Sequence, residues 1–385
     1  MAAPADAIFV DGVIHVRPGE GRTEEALAVR DGTVCRVADT YEVEFLEGIE
    51  TRRVDLDGRT VVPGFVDGYA DLATVGQQLL GTDDGATGSP PADVAAAREY
   101  LTAAVEEALK QGITTVFDAV RHPETARAYH ELALSAALPI RVGLNYRGDP
   151  ANERQTPLEA ANRLGLVSGA GTDRVWIDSL AVDVGERSGD ALREFLERAT
   201  EAGFRVSATV DGPTALDSLL TAMSGADATR PRIWLDEAIP ADRGQRLAAL
   251  GATVVGRPES AAGEANQGAK ERGTTRSAGP QFGRLLAAGV PIAFGSNGRR
   301  PNPLRDVERA TTASPDARLG VTEALRAATG AAAGQSAVGA GLGTLEVGTP
   351  ADFVALADSP WETPIAELAV ELTVVDGTIE YERLD

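Results

Sequence analysis

Carboxylates recur near the ends of apolar, strand-like runs: Asp71 in FVDGYAD, Asp118 in TTVFDAV, Asp178 and Asp183 in VWIDSLAVD, Asp211 in SATVDG and Asp236 in RIWLDE. Oxygens converging from neighbouring strand ends would suit a hard cation such as Mg²⁺ or Ca²⁺. The chain carries a net charge of −22, however, so acids are expected at such places by coincidence. Histidine, the usual base and zinc ligand near neutral pH, occurs three times and never as a spaced pair. His122 in DAVRHPE follows a strand and could act as a general base or lone ligand. It is equally the solvent-facing residue ahead of Pro123, where a helix starts. His15, in a terminal strand, and His130, on a helix, read as structural or exposed. Ser296 has no GxSxG elbow around it, and no phosphate loop, dinucleotide fingerprint or zinc-finger spacing is present.

A single cysteine, Cys35, excludes an internal disulfide and a thiolate metal cluster. All but two of the 36 basic residues are arginine, the exceptions being Lys110 and Lys270. So acidic a surface repels nucleic acid and anionic membrane. It also repels itself, and molar salt, with a screening length of about 3 Å, removes that repulsion. The composition is similar to that of haloarchaeal cytoplasmic proteins and predicts a fold that requires molar salt. No run approaches the roughly 20 apolar residues of a membrane span, and MAAPADAIFV has no signal-peptide pattern. The expected location is the cytoplasm.

The elements that must position these groups fall into two sets. Asp-Gly pairs between alternating apolar runs, at Asp11-Gly12, Asp31-Gly32, Asp57-Gly58 and Asp376-Gly377, predict hairpin turns. Their confinement to the two ends predicts one small β domain built from both termini, residues 1–62 and 343–385. Between them, strand-like runs such as PIRVGLNY and VPIAFGSN alternate with helical patterns, for example Pro91 to Gly112. Strand then helix, repeated about eight times, predicts an α/β fold of the (β/α)8 TIM-barrel type over residues 63–342. Arg257 to Pro280 is polar, glycine-rich and locally basic. It reads either as a lid suited to an anionic ligand or as a slack surface loop.

Both patterns together resemble the amidohydrolase superfamily. ADAIFVDGVIHV, EALAVRDGTVCRVAD and VDLDGRTVVPGFVD are similar to its opening, ALKQGITTVFDAV to its second strand, and RLLAAGVPIAFGSN to its eighth. VTEALRAATGAAA followed by LGTLEVGTPADFVAL is similar to its return to the β domain. The likeness is strongest to amidohydrolase family 3, the branch that includes N-substituted formamide deformylase. The resemblance implies a TIM barrel plus a β-sandwich composite domain, hydrolysis of non-peptide carbon–nitrogen bonds, one or two divalent metals at the barrel mouth, and commonly a homodimer.

The metal-ligand positions implied by that resemblance are replaced. The paired histidines fall on Tyr69 and Asp71, the group after the fourth strand near Arg174, the fifth-strand histidine on Thr209, the sixth-strand histidine on Leu235 and the eighth-strand aspartate on Asn297. A catalytic zinc takes three protein ligands and a water; only Asp71 here is a good anionic ligand, and an asparagine amide is no base. The expectation is therefore no metal and no cofactor. A non-hydrolytic scaffold or small-molecule binder follows, with Tyr69, Arg174, Asn297 and Arg299 available for hydrogen bonds and Arg174 available to neutralise Asp71. The alternative is a working hydrolase using displaced Zn²⁺, Mg²⁺ or Mn²⁺ ligands or a metal-free mechanism through His122.

Overall fold

The computed structural model describes residues 3–21, 23–82, 89–147, 157–186, 189–224, 230–258, 279–334, 336–339 and 341–383. Its centre is an eight-stranded parallel sheet, nearly closed into a barrel. The barrel strands are β7 (Phe65–Ala70), β8 (Ile113–Val120), β9 (Arg141–Arg147), β10 (Val175–Asp183), β11 (Val206–Val210), β12 (Arg232–Leu235), β13 (Thr253–Gly256) and β14 (Ile292–Phe294).

Alternation along the strands separates two cores. Outward residues such as Val142, Val182, Ile233 and Val254 pack under the surrounding helices. Inward residues, among them Val66, Tyr69, Phe117, Trp176, Trp234, Val255 and Ala293, fill the lumen. Fully buried aromatics of this size make the interior a packed core rather than a pore.

The helices start where capping chemistry allows. Asp93 accepts the Ala96 N–H at 2.9 Å and opens the helix Val94–Lys110, so the start falls after Pro91 rather than on it. Asp71 does the same for the helix Leu72–Leu80, accepting from the Thr74 N–H.

The termini supply two further sheets. One orders β4 (Thr33–Ala38), β3 (Ala26–Arg30), β1 (Ala7–Val10) and β5 (Arg52–Asp55). The other orders β17 (Thr378–Glu382), β16 (Val370–Val375), β15 (Phe353–Leu356), β6 (Thr60–Pro63) and β2 (Val13–Ile14). Asp31-Gly32 and Asp376-Gly377 make the expected hairpin turns, with positive φ at both residues. Asp11-Gly12 and Asp57-Gly58 do not make hairpins. They carry the chain from one sheet to the other and bond to each other, the Gly58 N–H donating to the Asp11 carbonyl at 2.7 Å.

A buried ion-pair cluster joins the terminal sheets to the floor of the barrel. Arg141, the first residue of β9, holds Asp352 through two hydrogen bonds of 2.6 and 3.2 Å and also pairs with Asp376. Arg174 completes it with a 2.6 Å contact to Asp376. The opposing charges raise the Arg141 guanidinium above its ordinary value despite the cost of burial.

Candidate functional site

The C-terminal ends of the strands form the mouth, where a barrel of this class carries its site. Register places Asp183, Thr209, Trp234, Val255 and Ala293 in one layer across β10 to β14. Tyr69, inward from β7, reaches across the lumen. Its hydroxyl lies 3.2 Å from Thr209 Oγ1, and its ring lies over Trp234 with centroids 5.1 Å apart.

Asp71 sits at the rim with both oxygens engaged. Oδ1 accepts the Thr74 N–H at 3.1 Å, and Oδ2 faces Arg121 Nε at 3.4 Å. Elsewhere on the rim Arg147 pairs with Asp183, and Arg257 pairs with Asp236 at 3.2 Å. Asp236 also accepts from Trp234 Nε1 at 3.2 Å, and the Arg257 guanidinium stands 5.7 Å from the Trp234 ring centre. Three strand-end carboxylates are thus matched by three arginines.

The seam between β14 and β7 closes through the loop that leaves β14. The Asn297 N–H donates to the Tyr69 carbonyl at 2.9 Å, and the Ser296 N–H to Asp67 Oδ1 at 3.0 Å. A side chain at Gly295 would meet the Tyr69 backbone nitrogen at 2.9 Å, so the close approach needs glycine there. Asn297 adopts φ +46°, a left-handed conformation asparagine tolerates. Burial pushes the Asp67 carboxyl above the usual range, against the pull of the bonds it accepts.

Several expected site residues lie elsewhere. Arg174 precedes β10, at the opposite end of the barrel from the mouth, and pairs with Asp376, so it cannot neutralise Asp71; Arg121 stands in that place. Asp178 is no strand-end group but lies low in the lumen. Arg232, the first residue of β12, holds it at 2.8 Å and Ser336 donates to it at 2.7 Å. Asp118 faces outward, accepting from the Leu72 N–H at 2.8 Å and the Tyr129 hydroxyl at 2.9 Å. Burial, with the Asp71 charge next in effect, pushes it up to about 7. Leu235 also points outward, into the strand–helix layer, because the inward place on β12 belongs to Trp234.

The remaining candidates flank the mouth. His122 occupies the N-cap position of the helix Pro123–Leu134 without a side-chain cap bond, and Asp211 is exposed at the start of the helix Gly212–Ala222. Arg299 is exposed in the loop after β14. His15 stacks on Trp361, centroids 4.2 Å apart, and burial lowers its pKa. Of the basic segment, residues 259–278 lie outside the described residues, as do residues 83–88 after β7.

Comparison with known proteins adds the family. A model described as the amidohydrolase family matches residues 82–381. The chain belongs to the amidohydrolase family. Among solved structures it is similar to an uncharacterized metal-dependent hydrolase from Pyrococcus furiosus, at 17% identity over 92% of this chain and 100% of that one, with a TM-score of 0.77. It is also similar to an adenosine deaminase from Xanthomonas campestris with bound zinc, at 16% identity over 99% and 94% of the two chains and a TM-score of 0.73. A triazine hydrolase from Arthobacter aurescens matches at 18% identity over 98% and 94%, with a TM-score of 0.75. At these identities the likeness is one of fold. Among curated proteins no match is found.

Among the described residues at the mouth of this family member, the candidate ligand positions are already engaged. Tyr69 and Thr209 bond to each other, Asp71 caps a helix and faces an arginine, and Trp234 fills the sixth-strand place. Among the described residues no group of three or more His, Cys, Asp or Glu could hold a metal ion.

Sequence reasoning overlooked Arg121, Trp234, Asp67 and Asp306. Alternation along RIWLDE was the available signal for Trp234. Arg121 directly precedes His122, and Asp67 lies within the motif that carries Tyr69. Asp306, on the helix Pro303–Thr312, keeps part of its surface in contact with solvent. Its carboxyl nevertheless sits deep enough for desolvation to push it up to about 7. Nothing in its sequence surroundings marks it.

Proposed function

We propose that this chain is a non-hydrolytic member of the amidohydrolase family, a scaffold or small-molecule binder whose mouth is organised by arginine–carboxylate pairs. The observation that carries this reading is that Tyr69 and Thr209 bond to each other while Asp71 is engaged by Thr74 and Arg121. A water activated by a metal needs a Lewis acid and a neighbouring carboxylate free to take its proton. Asp71 instead spends one oxygen on a helix N-terminus and turns the other to Arg121. The groups at the rim bind and orient; none is placed to activate water. A ligand that suits them is small and polar, with an edge that can lie on Trp234 and hydrogen-bonding atoms that can reach Arg121 or Arg257.

A second reading, a working hydrolase of amides, formamides or cyclic imides related to the formamide deformylases, is supported by the metal-dependent hydrolases among its structural neighbours. Metal analysis of protein purified in molar salt without chelator, paired with amide and formamide hydrolysis assays, separates the two. Substoichiometric zinc, manganese and magnesium with no turnover supports the first. A stoichiometric dication lost on Asp71→Ala, together with turnover, overturns it. We further propose a homodimer, tested by light scattering in molar salt, and domain limits of 1–62 with 343–385 and 63–342, tested by limited proteolysis. Among the described residues no helix is long and apolar enough to cross a membrane.

A further inference from the structure

A cavity of about 410 Å³ opens on the outer flank of the barrel. Its walls are the end of the helix Val94–Lys110, the helix Pro303–Thr312, the 3₁₀ turn Ile365–Glu367 and the strands β16 and β17. It thus lies outside the lumen, where barrel helices meet a terminal sheet. Small-molecule sites favour such junctions and occupy about 300–1,000 Å³. Contacts between the parts fix these walls. The Thr373 hydroxyl on β16 donates to the Leu109 carbonyl at 2.7 Å, and Arg300 pairs with Glu107 at 2.9 Å.

The lining combines two chemistries. Leu304, Leu368 and Tyr381 belong to an apolar wall, and Lys110, Arg305 and Arg383 bring three cations against one carboxylate, Glu308. Over the whole chain acids outnumber bases 58 to 36, so this local excess runs against the composition. Its other polar members are neutral, and one of them, Asn302, is committed to the Arg305 N–H at 2.9 Å. Arg383 stands 3.6 Å from Glu371, which offsets part of its charge. Lys110, by contrast, has neither a hydrogen bond nor an ion pair among the described residues.

A ligand that uses both walls carries a negative charge and an apolar body. A bare inorganic anion would leave the apolar wall wet, and a neutral apolar molecule would forgo the charge-assisted bonds. Glu308 repels a second carboxylate. We propose that this cavity binds a small organic monocarboxylate, its charge held by Lys110 and Arg305 and its apolar body laid on Leu304, Leu368 and Tyr381. Such a ligand ties the barrel to the terminal sheet, and the inference goes beyond either reading of the mouth.

The test is isothermal titration calorimetry of the full chain at fixed KCl with three probes: 3-phenylpropionate, its neutral amide 3-phenylpropanamide, and acetate. The expected result is saturable one-to-one binding of 3-phenylpropionate, about tenfold or more tighter than either comparator. Lys110→Gln and Arg305→Gln, both at exposed side chains, each weaken it about tenfold, and Lys110→Arg keeps most of the affinity. No saturable binding of 3-phenylpropionate, equal binding of the amide, or glutamine variants that bind like the wild type overturns the proposal. Loss of binding on Arg257→Gln with none on Lys110→Gln would move the probe to the mouth and overturn it equally.

Discussion

The hydroxyls of Tyr69 and Thr209 meet at 3.2 Å across the lumen and join the first barrel strand to the fifth. The Tyr69 ring thereby lies across the lumen beside Trp234, with centroids 5.1 Å apart. The bond predicts a measurable coupling: Tyr69→Phe and Thr209→Val each destabilise by about 1 kcal/mol. The double variant loses about the same as either alone, read by urea unfolding at fixed KCl. Strict additivity would show that the two hydroxyls do not interact.

Asp71 tests the helix-cap role directly. Asp71→Ala removes the cap on Leu72–Leu80 and the partner of Arg121, costing about 1–2 kcal/mol. Asp71→Asn keeps a cap-competent oxygen and costs less than half of that. Equal losses in urea unfolding would mean that the charge facing Arg121, rather than the cap, is what the residue supplies.

The latch under the barrel makes a larger prediction. Asp352→Ala leaves the Arg141 guanidinium buried without its two-point partner and destabilises by about 3–5 kcal/mol. Pairing it with Arg141→Met, which removes the stranded charge, recovers most of that loss. Failure of the second change to rescue would place the cost in packing.

Asp118 sets a pH dependence whose sign follows from burial. In the folded chain its carboxyl titrates at about 7, against about 3.9 when unfolded. Between those values the native state holds the proton and the unfolded state does not. Stability from this group is full below about pH 4, falls as pH rises, and is lost by about pH 7. From pH 5 to pH 8 the wild type loses about 2–3 kcal/mol more than Asp118→Asn. Parallel pH profiles for the two would show that Asp118 is ionised throughout.

The net charge of −22 predicts a requirement for salt. Circular dichroism across a KCl titration should show loss of structure below about 1 M, as self-repulsion is no longer screened within a few ångströms. A spectrum unchanged down to tens of millimolar would assign the acidity to composition alone.

What the chain's residues determined on their own was the architecture. Alternating runs and capped helices specify strand–helix repeats, because periodicity is a local property that any window of the chain displays. The turns at Asp31-Gly32 and Asp376-Gly377 are local too, since positive φ is a demand on two residues. The same local rule misjudged Asp11-Gly12 and Asp57-Gly58, whose flanking strands pair in different sheets. The placing of Tyr69 and Asp71 in and just after one barrel strand was also legible, because a strand pattern is all it required.

Only the tertiary structure decided which charges meet. Arg174 and Arg121 both lie next to barrel strands, one before β10 and one after β8. Being at opposite ends of the cylinder, one latches the floor to Asp376 and the other faces Asp71. Likewise Asp178, Asp118 and Asp236 look alike in sequence, yet one lies in the lumen, one behind a strand and one on the rim. Ion pairs and long-range hydrogen bonds join residues tens to hundreds of positions apart, as Asp67 and Ser296 are. Burial, which raises the proton affinity of Asp118 and Asp67, exists only once the barrel has closed around them.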